Sequence, residues 1–255
     1  FGVSGVCDRF SQIGPRLLFT TSSYYYDDKV IDCLDKITAI QKQLESLEMT
    51  IVVPFNNKAT EFSNVAKTIN WDNFVSMGPD SPLVFTHMGF DHPLYIMYSS
   101  GTTGAPKCIV HGTGGTLLQH LKEHKLHTNL SNEDTLFYFT TCGWMMWNWL
   151  VSALATGCKL VLYDGSPFAR EGKILLDAID DEDITVFGTS ARYISAMEKR
   201  GLKPRTTHSL GSLKTILSTG SPLSEASFEY IYRDFKSDIR LSSISGGTDI
   251  VSCFM

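Results

Sequence analysis

Apolar runs typical of β-strands alternate along the chain with segments whose apolar residues recur every three or four positions. The second pattern marks one face of an α-helix, and the clearest case runs from Lys29 to Glu48. Predicted strands at 16–20 and 50–54 lie on either side of this helix. Alternating strands and helices predict an α/β fold, with layered parallel β-sheets flanked by helices on both faces.

The same alternation returns in the second half of the chain. The predicted strands are 136–140, 159–163, 185–188, 213–217 and 239–244, and the predicted helices are 147–155, 174–179, 191–199 and a segment centred on 228–235. Ligands of parallel sheets bind at the carboxyl ends of the strands. The loops that follow strands are therefore expected to carry the functional residues.

Composition narrows the class of protein. The 255 residues suffice for one large domain, and the net charge of -5 argues against nonspecific nucleic-acid binding. The six cysteines are irregularly spaced without a Cys-x-x-Cys pair, so we expect reduced thiols in a cytosolic protein and neither a zinc site nor a disulfide scaffold. No apolar segment is long enough to span a bilayer. The ends at Phe1 and Met255 suggest a piece of a longer protein.

A loop rich in hydroxyl groups and glycine separates two apolar runs, at 94–98 and 108–110. Glycines let backbone N–H groups converge on an anion, hydroxyls donate to phosphate oxygens, and a lysine compensates their charge. The composition fits a polar hairpin turn equally well. The strand–loop–strand context and the missing Gly-Lys-Ser/Thr ending exclude a Walker A loop. The candidate phosphate-binding residues are Ser99, Ser100, Gly101, Thr102, Thr103, Gly104 and Lys107.

The string from Tyr98 to Lys107 resembles the AMP-binding signature of the adenylate-forming superfamily, which includes acyl-CoA synthetases, luciferases and peptide-synthetase adenylation domains. The segments 90–94, 109–112, 1–11 and 24–26 resemble one narrower family within it, the acetoacetyl-CoA synthetases. The resemblance covers essentially the whole chain. It implies that residues 1–255 form an incomplete large N-terminal AMP-binding (adenylation) domain. A mobile C-terminal domain with a catalytic lysine would then lie outside the chain.

The resemblance assigns the turn after the predicted strand 213–217 to adenine binding, through Gly220, Ser221 and Pro222. Without the family, this segment is a strand-to-helix turn in which Ser224 caps the next helix, and both interpretations can hold together. The resemblance also places the Thr248 hydroxyl near the α-phosphate and the Asp249 carboxylate near Mg²⁺. The family pattern has Glu at the second position, but a hard cation accepts either carboxylate. Without the family, this loop too is an ordinary turn.

An aromatic and methionine-rich segment is expected to form the acyl pocket. The resemblance assigns this role to Trp144, Met145, Met146, Trp147 and Gly246. In acetate-using relatives a tryptophan occupies the place of Gly246, so the glycine makes room for a longer acid. The start of a buried core helix is the alternative for residues 144–147. Because a few carbons discriminate by a few kcal/mol at most, some promiscuity is expected.

The implied reaction is the ATP-dependent activation of acetoacetate to acetoacetyl-CoA, through an acyl-adenylate, with release of pyrophosphate and AMP. It implies ATP, Mg²⁺ and coenzyme A as cofactor and co-substrates, small-molecule partners, and no nucleic-acid or membrane partner. A ligase for acetate or butyrate and a non-catalytic nucleotide-binding fragment remain alternatives. A dinucleotide-dependent dehydrogenase is disfavoured because no Gly-x-Gly-x-x-Gly follows a strand.

Three histidines, His120, His124 and His127, share one predicted helical face. This spacing allows a metal site, but no acidic or cysteine partner accompanies it. A solvated or packed helix face is therefore the favoured interpretation.

Overall fold

The computed structural model describes residues 2–27, 29–55, 65–99 and 104–255. The chain divides into two compact units. The smaller unit comprises Phe1–Met88 and Tyr98–Ile109, and the larger comprises Gly89–Met97 and Val110–Met255. Within the described ranges, no helix combines the length and the apolar composition needed to cross a membrane.

The smaller unit is built on a three-stranded parallel sheet. The strands of this unit are β1 (Leu17–Thr21), β2 (Ser23–Tyr26), β3 (Lys29–Asp32), β4 (Met49–Val53) and β5 (Thr68–Asn70). The helices of this unit are α1 (Val3–Phe10), α2 (Leu34–Gln43) and α3 (Trp71–Ser76). The parallel sheet has the order β1-β4-β5. The predicted strands 16–20 and 50–54 correspond to β1 and β4, whereas β5 is not among the predicted strands. Buried Cys7, Ile40, Leu44 and Leu47 form the apolar cluster between α1 and α2.

The predicted helix from Lys29 to Glu48 is wrong at both ends, because α2 begins at Leu34 and ends at Gln43. Residues Lys29–Asp32 form β3, which pairs with β2 in antiparallel register and places Tyr25 opposite Val30. Aromatic and β-branched residues form favourable cross-strand pairs, which outweigh the weak helical preference of this segment. The Asp32 carboxylate accepts a hydrogen bond of 2.8 Å from the backbone N–H of Leu34, where α2 begins.

Two paired strands, β6 (Pro93–Ser99) and β7 (Lys107–Gly112), carry the chain between the units. They confirm the predicted strand–loop–strand context of the candidate phosphate loop.

The larger unit contains seven further strands and seven α-helices within the described residues. The strands are β8 (Thr135–Tyr138), β9 (Lys159–Val161), β10 (Val186–Ser190), β11 (Thr215–Thr219), β12 (Arg240–Ser243), β13 (Gly246–Gly247) and β14 (Ser252–Cys253). The helices are α4 (Thr113–Lys122), α5 (Met145–Ser152), α6 (Ala169–Gly172), α7 (Ile174–Asp181), α8 (Ala191–Lys199), α9 (Pro204–Thr207) and α10 (Glu225–Tyr230). A π-helical turn, Glu123–His127, extends α4, and a second, Ile231–Phe235, extends α10.

Five strands of the larger unit form one parallel sheet in the order β12-β11-β10-β8-β9. Alternate residues point to opposite faces. On one face Phe137, Phe187 and Ile216 are buried with side chains of α7, α8 and α10, and we call it the α8 face. On the other, Leu136, Tyr138 and Leu217 are buried with side chains of α5, and we call it the α5 face. The predicted α/β fold is therefore confirmed.

Candidate active site

A cavity of about 810 Å³ lies on the α5 face, where β11 and β12 end. Its walls come from the loop after β11, the segment from Ser242 to Thr248, the start of α5, the π-helical turn after α4, and β14. Cavities of this size accommodate small-molecule ligands and cofactors. The expectation that loops after successive strands meet at one edge is therefore confirmed within the larger unit.

The three candidate adenine residues, Gly220, Ser221 and Pro222, all line this cavity. Gly220 has φ +92°, a left-handed conformation that favours glycine, and a side chain built on it would lie 3.8 Å from the Trp144 ring. The turn leads into α10, whose first turn is capped by a 3.2 Å hydrogen bond from the Ser227 N–H to the Ser224 hydroxyl. The turn thus has a structural role and also faces the cavity.

Thr248 lines the same cavity, and its carbonyl oxygen lies 2.8 Å from Nε2 of His111. Because a carbonyl oxygen only accepts, the His111 ring donates this bond from Nε2 and holds the loop in place. Asp249 is exposed beside Thr248 and is not among the residues that line the cavity.

The position of Asp249 suits a magnesium ion that takes only one or two of its ligands from the protein. Protein-bound Mg²⁺ commonly takes one or two carboxylates together with phosphate oxygens and water, rather than a cage made of protein alone. A single exposed carboxylate next to a cavity-lining hydroxyl suits that role. In the described ranges, no three His, Cys, Asp or Glu side chains form a group that could hold a metal by themselves.

Gly246 also lines the cavity, and the structure gives a second reason for a glycine there. It pairs with Cys253 in the β13–β14 hairpin. A Cβ at this position would overlap the backbone oxygen of Ser252 and lie 2.7 Å from the Cα of Cys253. The glycine therefore permits close backbone approach, in addition to any space it leaves for a ligand.

Of the candidate acyl-pocket residues on α5, Trp144, Met145 and Met146 line the cavity, whereas Trp147 packs against the apolar cluster beside it. Trp149, which was not among the sequence-derived candidates, lines the cavity as well. Its spacing of three and four residues from the methionines places it on their helical face, so the periodicity of α5 could have identified it.

Trp144 and Trp149 are the aromatic residues that line the cavity, and we call them the aromatic wall. They pack against the sheet through Tyr138. The Tyr138 ring makes edge contacts with Trp144 and Trp149, each at 5.9 Å between ring centroids. The ring lies over Gly188, where an added Cβ would overlap it. Burial raises the pKa of the Tyr138 hydroxyl, which donates a 3.2 Å hydrogen bond to the Thr189 carbonyl. A glycine in the central strand thus makes room for the aromatic layer beneath the cavity.

Glu123 is a buried, cavity-lining carboxylate that the sequence did not identify as a candidate. Its Oε2 accepts a 2.8 Å hydrogen bond from the Trp149 indole N–H. Its Oε1 accepts bonds from Gln119 Nε2 (3.1 Å), from the Cys253 backbone N–H (3.1 Å) and from the Ser252 hydroxyl. Burial raises the pKa of this carboxyl, but the hydrogen bonds outweigh it and hold the pKa below its usual value.

His120 and His124 are fully buried beside this carboxylate, whereas His127 is exposed. His120 Nε2 bonds the Val251 carbonyl at 2.6 Å, and His124 Nε2 lies 3.0 Å from the Trp149 carbonyl. Burial lowers the pKa of both imidazoles, that of His124 to about 4. The first two histidines therefore belong to a packed helix face, as the favoured interpretation has it.

The candidate phosphate loop lies in the smaller unit. Ser99 ends β6, Lys107 begins β7, and Gly104 has φ +124°, which favours glycine. The other four candidates, Ser100, Gly101, Thr102 and Thr103, lie outside the described residues.

This chain is similar to curated proteins that are named for two different activities. The acetoacetyl-coenzyme A synthetase of Rhizobium meliloti (strain 1021) is 52% identical over 256 residues, covering 100% of this chain and 39% of that protein. The malonamoyl-CoA synthetase vrtB of Penicillium aethiopicum is 45% identical over 273 residues, covering 99% of this chain and 38% of that protein. The chain thus spans about two fifths of the length of these curated relatives.

The fold is found in a solved structure as well. The acetoacetyl-CoA synthetase from Streptomyces lividans matches 100% of this chain and 39% of its own, with a TM-score of 0.91 and 39% sequence identity. The family model described as AMP-binding enzyme matches residues 2–255. This chain therefore belongs to the family of AMP-binding enzymes.

Proposed function

We propose that this chain is the nucleotide- and acid-binding part of an AMP-forming acetoacetate–CoA ligase. The observation that carries the proposal is the single cavity into which the loops after β11 and β12 and the start of α5 converge. The residues that line it include small hydroxyl residues and glycines, among them Ser221 and Thr248, and also aromatic and methionine residues. A polar nucleotide beside a short carbon chain matches this combination. The acetoacetate-specific names of two relatives support the choice of acid.

In the proposed reaction the acid carboxylate attacks the α-phosphate of ATP, and the CoA thiol then attacks the acyl carbon. No covalent enzyme intermediate is needed, so catalysis depends on positioned donors for the charge that develops on phosphate oxygens. Thr248 would donate its hydroxyl there, while His111 keeps the Thr248 backbone in place. Mg²⁺ supplies charge neutralisation at the phosphates when bound, and Asp249 would be its protein ligand.

The family resemblance supports the remaining roles. Gly220, Ser221 and Pro222 would contact adenine, and the loop from Ser99 to Lys107 would contact the phosphates. The acyl chain would lie against Trp144, Met145 and Met146, beside Gly246. In these roles the chain uses ATP, Mg²⁺ and coenzyme A. It is completed by a C-terminal domain of the same polypeptide, which carries a catalytic lysine. Its six free cysteines support a reducing, cytosolic location.

The test of this proposal is ATP–pyrophosphate exchange by the full-length protein with acetoacetate, acetate and butyrate. We expect acetoacetate to give the highest kcat/KM. Equal rates for the three acids would refute the assignment to acetoacetate. In the same assay Thr248→Val, which removes one donor to the developing charge, should reduce kcat roughly a hundredfold. The matched control Thr206→Val, at an exposed position on α9, should leave kcat unchanged.

A second assay tests the proposed dependence on the other domain. The 255-residue chain alone should bind nucleotide weakly and form no thioester. Robust thioester formation by the isolated chain would contradict this part of the proposal.

The relative named for malonamate favours one further candidate acid. Malonamate differs from acetoacetate only in carrying an amide in place of the terminal methyl ketone. Including malonamate in the exchange assay decides between the two acids, because the preferred acid should give the higher kcat/KM.

A further inference from the structure

Three ionisable residues, Glu123, His127 and Cys253, line the cavity, and Glu123 contacts both walls of the proposed acyl site. Glu123 bonds to Trp149 of the aromatic wall and to Cys253, the residue paired with Gly246. It therefore joins the two walls between which the acid is proposed to bind. We propose that Glu123 is a specificity-determining residue that excludes dicarboxylic acids from this site, an inference that rests on the proposed acid-binding role of the cavity.

The hydrogen bonds around Glu123 define it as an anion. The Trp149 indole and the Cys253 backbone offer only N–H donors to it, and the Gln119 side chain and the Ser252 hydroxyl donate to it as well. An acceptor-only carboxylate matches this ring of donors, whereas a protonated acid would bring an additional hydrogen.

Among the described residues, no Lys, Arg or His side chain forms an ion pair with Glu123. The buried imidazoles of His120 and His124 are neutral at physiological pH, since burial lowers their pKa. The negative charge of Glu123 also contributes, after burial, to raising the pKa of the cavity-lining Cys253 thiol to about 12. Lys122 acts in the opposite direction on the pKa of Cys253 but less strongly than Glu123, so we expect the net field at this wall to be negative.

Shape cannot separate the acids that this field would separate. Acetoacetate, malonamate and malonate have the same number of non-hydrogen atoms and the same carboxymethyl group. They differ at one terminal position, which is a methyl group, an amide nitrogen or a carboxylate oxygen. A cavity that fits the first two by size therefore fits malonate equally well. Only the second negative charge of malonate distinguishes it, and Glu123 is the residue placed to oppose that charge.

The expected size of this discrimination follows from Coulomb's law. Two like charges separated by about 6 to 10 Å, in an effective dielectric constant of about 20, repel enough to change an affinity roughly tenfold to a hundredfold. A neutral residue at position 123 would remove that factor for malonate and leave it unchanged for uncharged termini.

The experiment compares kcat/KM for malonamate and malonate in the full-length enzyme, using ATP–pyrophosphate exchange. The wild type should prefer malonamate by tenfold or more, and Glu123→Gln should shrink this preference at least tenfold. Glu123→Asp is the matched control, because it disturbs the same hydrogen bonds but keeps the charge, so it should retain the preference. Both acids are measured on one sample, so the ratio is independent of the fraction of folded enzyme.

Two results would overturn the inference: a wild type that uses malonate as well as malonamate, or a Glu123→Gln enzyme with an unchanged ratio. Should Glu123→Gln fail to fold, the inhibition constants of malonate and malonamate against wild-type acetoacetate exchange replace it. Equal constants would refute the inference, and a weaker binding of malonate by tenfold or more would support it. Absence of wild-type exchange with acetoacetate would instead contradict the proposed function, so the two failures are distinguishable.

Discussion

The two faces of the five-stranded sheet are made by alternate residues of the same strands, yet they differ in kind. On the α8 face Phe137 and Phe187 stack at 5.3 Å between ring centroids beneath side chains of α7 and α8. On the α5 face Tyr138 and Leu217 lead instead to a cavity. Neighbouring positions in one strand can therefore contribute separately to a packed core and to the support of a cavity, because the strand directs their side chains to opposite faces.

The α5 face departs from close apolar packing in identifiable ways. Gly188 leaves room for the Tyr138 ring, and Gly246 leaves room for the backbone of β14. Buried polar groups of Glu123, His120 and His124 take the place that aliphatic side chains fill on the α8 face. Apart from Nδ1 of His124, the polar side-chain atoms of these three residues are hydrogen-bonded. The stability of this face therefore depends on specific polar partners, whereas that of the α8 face depends on apolar packing.

The largest stability effect is expected on the α8 face. Phe187 is 1% exposed, and Phe187→Ala should reduce the free energy of unfolding by about 3 to 5 kcal/mol, because it removes a buried ring and leaves a cavity. Urea denaturation of the 255-residue chain measures the change. The same substitution at Phe254, which is 79% exposed in the chain, is the control and should cost less than about 0.5 kcal/mol. Equal losses at the two positions would contradict the described packing.

The second effect should belong to the α5 face and depend on pH. Because the pKa of His124 is about 4 in the folded protein and about 6.5 for an unperturbed histidine, the unfolded chain binds more protons between these values. The free energy of unfolding should therefore fall as the pH drops through this window, by up to about 3 kcal/mol from this histidine.

The pH dependence can be assigned with a matched pair of variants. His124→Gln should flatten the slope of unfolding free energy against pH between about 4 and 6.5. His87→Gln, at an exposed position, should leave that slope as in the wild type. An unchanged slope in the His124 variant would place the titrating group elsewhere and weaken the contrast between the faces.

A smaller effect should come from the glycine beneath the aromatic wall. Gly188→Ala forces a methyl group into the Tyr138 ring and should destabilise the protein by about 1 to 3 kcal/mol. Gly115→Ala is the control, because an added Cβ there meets nothing within 4 Å and Gly115 is exposed on α4. It should stabilise by about 0.5 to 1 kcal/mol through helix propensity. Thermal unfolding of the two variants would show shifts of opposite sign; shifts of the same sign would contradict this reading.

Much of the fold could be predicted because the larger unit follows local patterns. The predicted helix 191–199 coincides with α8, and the predicted strand 185–188 differs from β10 by one or two residues at each end. Here a short apolar run and a regular helical face each determine one element. The error at Lys29–Asp32 arose because pairing with Ser23–Tyr26 overrode a helical spacing, and the pattern of one segment does not report its partner.

The candidate site shows the same difference between residues that the sequence can identify and residues that only tertiary contacts reveal. Gly220, Thr248 and Trp144 were identified through the family resemblance, and each lines the cavity. Glu123 could not be found this way, since its partners Trp149 and Cys253 are 26 and 130 residues away. A glutamate within a helical pattern looks like an exposed position, and only the tertiary structure buries it. Trp149 could have been predicted from the sequence, because its helical spacing from Met145 places it on the same face of the helix.

The most direct test of the account is hydrogen exchange of the full-length protein with and without a non-hydrolysable acetoacetyl-adenylate analogue. The account predicts slower exchange of backbone amides in the loops on the α5 face, at 144–149, 217–222 and 242–253, which surround the cavity. It predicts no change in α7 and α8, which cover the other face. Protection confined to α7 and α8, or no protection at saturating analogue, would contradict the assignment of this cavity as the nucleotide and acid site.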